Sequence, residues 1–227
     1  MRFYNRDGEL DQLPLDRTYG AEAMLAMSAL DCALNGRKAA YGSSELTSGR
    51  RFYSLAREHG VSTTGELRKA LGEEGFQRLL WRPNVEAANA FARTLEERLG
   101  RLVVTPAPFE APGWDQPEYL AFWENLIRTR IDAAYFNRGW AFSNGCSFEF
   151  AVAADAGVPT FDHDGQPLDP PAAAAEVRSA IAELEGAGFE PSGLRENLAR
   201  IESLTTAPAA PRGRSGSARR RTHTRRR

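Results

Sequence analysis

Phe142-Ser143-Asn144-Gly145-Cys146-Ser147-Phe148-Glu149-Phe150-Ala151-Val152-Ala153-Ala154-Asp155-Ala156-Gly157-Val158-Pro159-Thr160 reads as a polar loop, a short helix and the start of a strand. Small polar residues and Gly145 suit a turn at the end of a preceding strand. The helix is expected to begin near residues 145–147 and to stop at Gly157 and Pro159. Glu149 then falls in or near its first turn, between Phe148 and Phe150. Two readings of it stand side by side. A Glu in a first helical turn favours the helix dipole and can close a capping box, with residues 143–146 as the cap. The other is a ligand-facing carboxylate, because open α/β sheets bind ligands outside the carboxyl ends of their strands, where such loops lie.

The flanking sequence supplies the sheet. Residues 132–137 form the strand before this loop, and residues 158–162 the one after its helix. Upstream, residues 101–105 are a continuous apolar strand of the buried parallel kind. Residues 38–41 are a fourth. Helices are expected at 51–59, 63–71, 85–99 (capped by Asn84), 117–131, 172–185 and 194–204, with a short segment at 72–82 lying over the core. Helix and strand alternate from residue 38 to 185, which predicts an α/β fold. Its core is a doubly wound parallel sheet of four or five strands with helices on both faces, flavodoxin- or Rossmann-like. Ahead of it, the Ala/Leu/Met-rich residues 21–34 form a helix within an extension spanning 1–37. The α/β domain covers 38–206. Residues 207–227 are Pro/Ala/Gly/Ser- and then Arg-rich, with the composition of a disordered tail.

Two loops carry further signals. Gly42-Ser43-Ser44-Glu45-Leu46-Thr47-Ser48-Gly49-Arg50 joins a strand to a helix N-terminus, a place where free backbone N–H groups meet anions. It matches neither a Walker A nor a G-x-G-x-x-G pattern. Glu45 would repel a phosphate there unless it points away or binds a sugar hydroxyl. Residues 106–116 are proline-rich and aromatic. They read equally as a wall for a planar ligand or as a surface loop with a buried Trp114.

Composition narrows the class. The chain has 227 residues, 42% hydrophobic and 26% charged, ordinary for a globular protein. Cys32 and Cys146 make neither a disulfide framework nor a metal-ligand spacing, and a reducing cytoplasm is expected. No apolar run reaches membrane-spanning length, and the first residues are not a secretory signal. The net charge of −1 hides an asymmetry: eight of the 29 Lys and Arg lie in residues 207–227, leaving 21 against 30 acids before them. The Arg-rich tail reads either as a non-specific contact for nucleic acid or another polyanion, or as a solubilising extension.

With these elements placed, residues 38–161 resemble the nucleoside 2-deoxyribosyltransferase superfamily, which includes the nucleoside 5′-monophosphate N-glycosidases. The features carrying the resemblance are the strand ending in Tyr41, the small-residue loop after it, the aliphatic strand, the acid-bearing helix, and the Ser143 to Glu149 spacing. The resemblance implies that Glu149 is a nucleophile at the anomeric carbon of a nucleoside or nucleotide. It implies that Glu124 is the second acid, handling a proton on the leaving or incoming base, with Glu in place of the usual Asp. Tyr41 falls next to the sugar or base. Thr47, Ser48, Gly49 and Arg50 fall where the glycosidases hold phosphate, with Ser44, Asn144 and Gly145 as further substrate-binding positions. Ser143 stands where transferases carry an acid and glycosidases a Ser, which favours a 5′-phosphate. No metal and no redox cofactor are implied, and a homo-oligomer is, with Asp162 a candidate contribution to a neighbour's site. The other reading is a nucleotide-binding or sensing module that keeps the pocket without the chemistry.

Overall fold

A computed structural model describes residues 3–4, 10–11, 17–107, 109, 111, 113–114 and 116–206. The expectation of a disordered tail at 207–227 lies outside them. A short antiparallel ribbon, β1 (Phe3–Tyr4) and β2 (Leu10–Asp11), precedes α1 (Arg17–Leu34). The central sheet follows, with strands β3 (Ala39–Ser43), β4 (Val103–Val104), β5 (Ile131–Phe136) and β6 (Thr160–Phe161). All pair in parallel, in the spatial order β4-β3-β5-β6. The predicted α/β sheet is thus present with four strands. Its order reverses between β3 and β5, so the ligand crevice of such a sheet falls where these two strands end.

β3 is buried throughout and β5 everywhere but at Asp132, as inner strands of a parallel sheet are. Ala39, Tyr41, Ala134 and Phe136 point into the larger core, where they meet side chains of α1, of α5 (Gln116–Arg130), of α6 (Asn144–Asp155), of α7 (Pro170–Gly186) and of α8 (Ser192–Thr206). Their neighbours Ala40, Ala133 and Tyr135 point the other way, against Phe91 and Leu95 of α4 (Arg82–Leu99). A one-residue shift of register would exchange the two faces. The helix of the N-terminal extension belongs to the same body: Ala23, Met27 and Leu34 enter the larger core, and Asp31 pairs with Arg130 of α5.

Three local expectations change. Between α2 (Arg50–His59) and α4, Thr63 caps α3 (Thr64–Phe76) in a capping box with Glu66. Gly72 breaks the helical geometry inside α3, but the chain then runs through a π-helical turn (Gln77–Trp81) straight into α4. Asn84 is therefore inside a helix and not its cap. The turn before it already satisfies the N–H groups a cap would serve, and the buried Asn84 side chain instead donates to the Leu46 carbonyl at 2.7 Å and accepts from Arg51 Nε at 3.0 Å. Finally, α6 starts at Asn144, so Glu149 lies in its second turn. Ser143 does cap the helix, accepting from the Cys146 N–H, but Glu149 takes no part in a capping box. Among the described residues, no helix is long and apolar enough to cross a membrane.

Candidate active site

A cleft of about 1310 Å³ opens at the ends of β3 and β5. Its floor is Glu149, only 5% exposed. The 3-10 turn Trp140–Phe142 after β5 aims the chain so that α6 begins under the cleft. The apolar residues around Glu149 (Phe148, Phe150, Val152) hold α6 in the core. Ser43, the last residue of β3, donates from Oγ to Glu149 Oε2 at 2.6 Å. Tyr41, two residues earlier on the same face of β3, stands behind the carboxylate. Its hydroxyl is buried and lacks a hydrogen bond of good geometry among the described residues.

Burial dominates the electrostatics here. It lifts Glu149 from the ordinary carboxylate range to about 7, against the hydroxyls of Ser43 and Tyr41, which favour the ionised form. Burial first, and then the charge of Glu149, push the Tyr41 hydroxyl up. The same two causes raise the buried Cys146 thiol, so it is inert as a nucleophile near neutrality. Glu149 is thus the group of the site whose ionisation burial shifts toward neutrality, with Ser43 Oγ hydrogen-bonded to its Oε2.

The walls hold most of the residues the sequence singled out. Ser44, Thr47 and Ser48 come from the loop after β3, and Ser143, Asn144 and Gly145 from the start of α6. Ser48 Oγ and Ser143 Oγ are 3.0 Å apart. Ser44 is fixed by Asn137 Nδ2 at 3.1 Å. The first N–H groups of α6 open on the same hydroxyl pair, a setting suited to an anion or a sugar hydroxyl. On the opposite side α5 contributes Tyr119, Leu120 and Trp123, and the 106–116 loop contributes Pro106, Phe109 and Ala111. Phe109 stacks on Phe122 with centroids 4.9 Å apart, while Trp114 is buried and donates to Glu22 at 2.7 Å. The loop thus has the buried Trp114 of the second reading, while Phe109 lines the cleft.

Besides Tyr41, four predicted residues stand off the cleft walls. Glu124 points out of the cleft, its carboxylate bound to Arg128 Nε at 2.9 Å; Arg128 also holds Asp155 of α6 at 3.0 Å. The helical turn that directs Trp123 inward carries Glu124 to this outer seam. Arg50 lies across the Phe142 ring, 3.8 Å from its centroid, and reaches Glu183 at 3.2 Å, so it is not a clamp in this cleft. Asp162 accepts from the N–H groups of Asp164 and Gln166 and shapes its own turn. Gly49 also stands off the cleft, because the anion at the start of α2 is the chain's own Glu45. Its Oε1 accepts from the Arg50 N–H at 3.2 Å, and burial lifts it to about 7. Gly49 and Gly139 make room for it: a Cβ would lie 2.3 Å from Glu45 Cδ at the first and 2.5 Å from Oε1 at the second, both with positive φ. Glu45 thus points away from the cleft, the condition on which the loop can meet an anionic ligand.

The sequence reading missed one whole wall. Residues Gly193, Glu196, Asn197 and Arg200 of α8 line the cleft at i, i+3, i+4 and i+7. Asn197 is buried, and its Nδ2 donates to the Asn144 carbonyl at 3.0 Å and to Ser147 Oγ at 2.9 Å. Arg200 sits over the Phe148 ring at 5.3 Å. The signal was a polar stripe beside the apolar one of Leu194, Leu198 and Ile201, which from sequence alone equals a solvated face.

Among the described residues no group of three His, Cys, Asp or Glu side chains is placed to hold a metal ion. Comparisons of the chain with protein families, with curated proteins and with solved structures return no match.

Proposed function

We propose that this chain breaks, or exchanges the base across, the N-glycosidic bond of a nucleoside or nucleoside 5′-monophosphate, with Glu149 as nucleophile. The observation that carries the reading is the buried Glu149 carboxylate at the cleft floor, held by Ser43 at the carboxyl end of β3. In the first step a Glu149 oxygen attacks the anomeric carbon. The carbon–nitrogen bond breaks, its electron pair leaves with the base, and the base takes up a proton from solvent. In the second step water or an incoming base attacks the same carbon, loses its proton to solvent, and Glu149 departs as carboxylate. The aromatic wall of Phe109, Tyr119 and Trp123 suits the planar base, and Ser48, Ser143 and the start of α6 suit the 5′ end.

A second reading is a nucleotide-binding module without turnover. It is favoured by the position of Glu124, which leaves the expected second acid outside the cleft.

The test is incubation of the purified chain with nucleosides and their 5′-monophosphates, with and without free base, followed by chromatography. Release or exchange by the wild type and its loss in Glu149→Gln are expected. Unchanged turnover in that variant overturns the mechanism, and binding without release selects the second reading.

A further inference from the structure

Beyond the 44–48 loop the cleft runs on to a second polar and aromatic group that the glycosidic chemistry does not use. Its residues are Thr64, Arg68, Gln77 and Trp81. Thr64 Oγ1 donates to the Thr47 carbonyl at 3.3 Å and so joins this wall to the loop. The π-helical turn Gln77–Trp81 brings its first and last side chains to the cleft together; such turns gather at functional sites. Trp81 is half-buried: part of its ring packs on the Phe52, Phe76 and Leu80 cluster, and the rest faces the cleft. Glu73 locks the neighbouring groups, accepting from Gln77 Nε2 at 3.0 Å and from Arg68 at 2.8 Å. The Arg68 guanidinium lies 4.2 Å over the Phe76 ring. Gln77 Oε1 has no hydrogen bond among the described residues.

An indole to stack on, a fixed amide edge and an oriented guanidinium are the groups that recognise a nucleobase with phosphate attached. The cleft, at about 1310 Å³, exceeds the roughly 300–1,000 Å³ usual for a small-molecule site. We infer that it holds two nucleoside units, a dinucleotide joined through its 5′-phosphates, with one half at Glu149 and the base of the other between Trp81 and Gln77. Which half reacts rests on the function proposed above; the second base site binds whether or not turnover follows.

The test uses the full chain carrying Glu149→Gln and calorimetry with four ligands: the dinucleoside diphosphates of adenosine and of guanosine, and the matching 5′-monophosphates. Stacking on one aromatic ring predicts a preference of roughly tenfold or more for at least one dinucleotide over its monophosphate. Trp81→Ala and Gln77→Ala should erase that preference and leave monophosphate affinity unchanged. Because Trp81 also packs on the core, Gln77→Ala carries the test if the first variant unfolds. Equal affinities, no binding of either dinucleotide, or equal weakening of both ligand classes overturns the inference. The two proposals fail separately. Base release that survives Glu149→Gln sinks the nucleophile while the preference stands, and release from monophosphates without a preference sinks the second base site alone.

Discussion

Ser43 and Glu149, 106 residues apart, meet at 2.6 Å in a buried hydrogen bond that ties the end of the first strand of the parallel sheet to the second turn of α6. The bond favours the ionised carboxylate, while burial opposes it and holds Glu149 at about 7. Base release should therefore rise with pH through about 7, as the nucleophile ionises. Ser43→Ala removes a group that lowers this pKa, so the acid limb of kcat/KM should move to higher pH. A limb that stays in place would separate the rate from Glu149 titration.

Stability has the opposite pH dependence. Glu149 and Glu45 are both held at about 7 against an ordinary value of 4.5. Between those values the folded chain binds more protons than the unfolded one, so their contribution falls as pH rises from 4.5 to 7 and is then constant. For Glu149 the full loss is up to about 3 kcal/mol. Glu149→Gln should cancel its share, which is read as a smaller drop in Tm between pH 5 and pH 8 than in the wild type.

Glu124→Gln should leave base release within about twofold, because the side chain faces Arg128 on the outer seam. The loss of such a half-exposed pair costs at most about 1 kcal/mol. Steady-state rates and a thermal melt measured on one preparation check both halves. A loss of a hundredfold or more would return Glu124 to the chemistry.

Gly49→Ala and Gly139→Ala should each destabilise by about 1–3 kcal/mol, since each places a Cβ on the Glu45 carboxyl at a positive φ. Chemical denaturation measures the loss. Removing the clash through Glu45→Ala should recover only part of it, because the backbone strain remains.

The sheet was legible because its strands are short, mostly apolar runs bounded by turn residues, and Ser143 to Glu149 because a polar loop meets an apolar helix there. What failed to show was direction. Arg50 fell where the resemblance puts a phosphate-holding residue, but its partners Phe142 and Glu183 are distant in sequence. Glu124 carried a visible warning, an Arg four residues on, which is the spacing of a helical ion pair. The α8 wall was hidden for a different reason. A polar stripe facing a cleft and one facing water are written in the same residues, and only packing tells them apart.

That wall has its own moorings. Arg178 and Glu202 join α7 to α8, and Arg195 of α8 reaches Glu185 in the last turn of α7 and Glu190 on the connection between them. Its polar tie to α6 is Asn197, seated on Asn144 and Ser147. The groups proposed to make and break bonds belong to α6 and the carboxyl end of β3, while the ion pairs of this wall run to α7 and the connection after it. On the proposed function, change in the α7–α8 pair would retune what the cleft accepts while Ser43 holds Glu149 in place, with Asn197 the polar link between selectivity and reactivity.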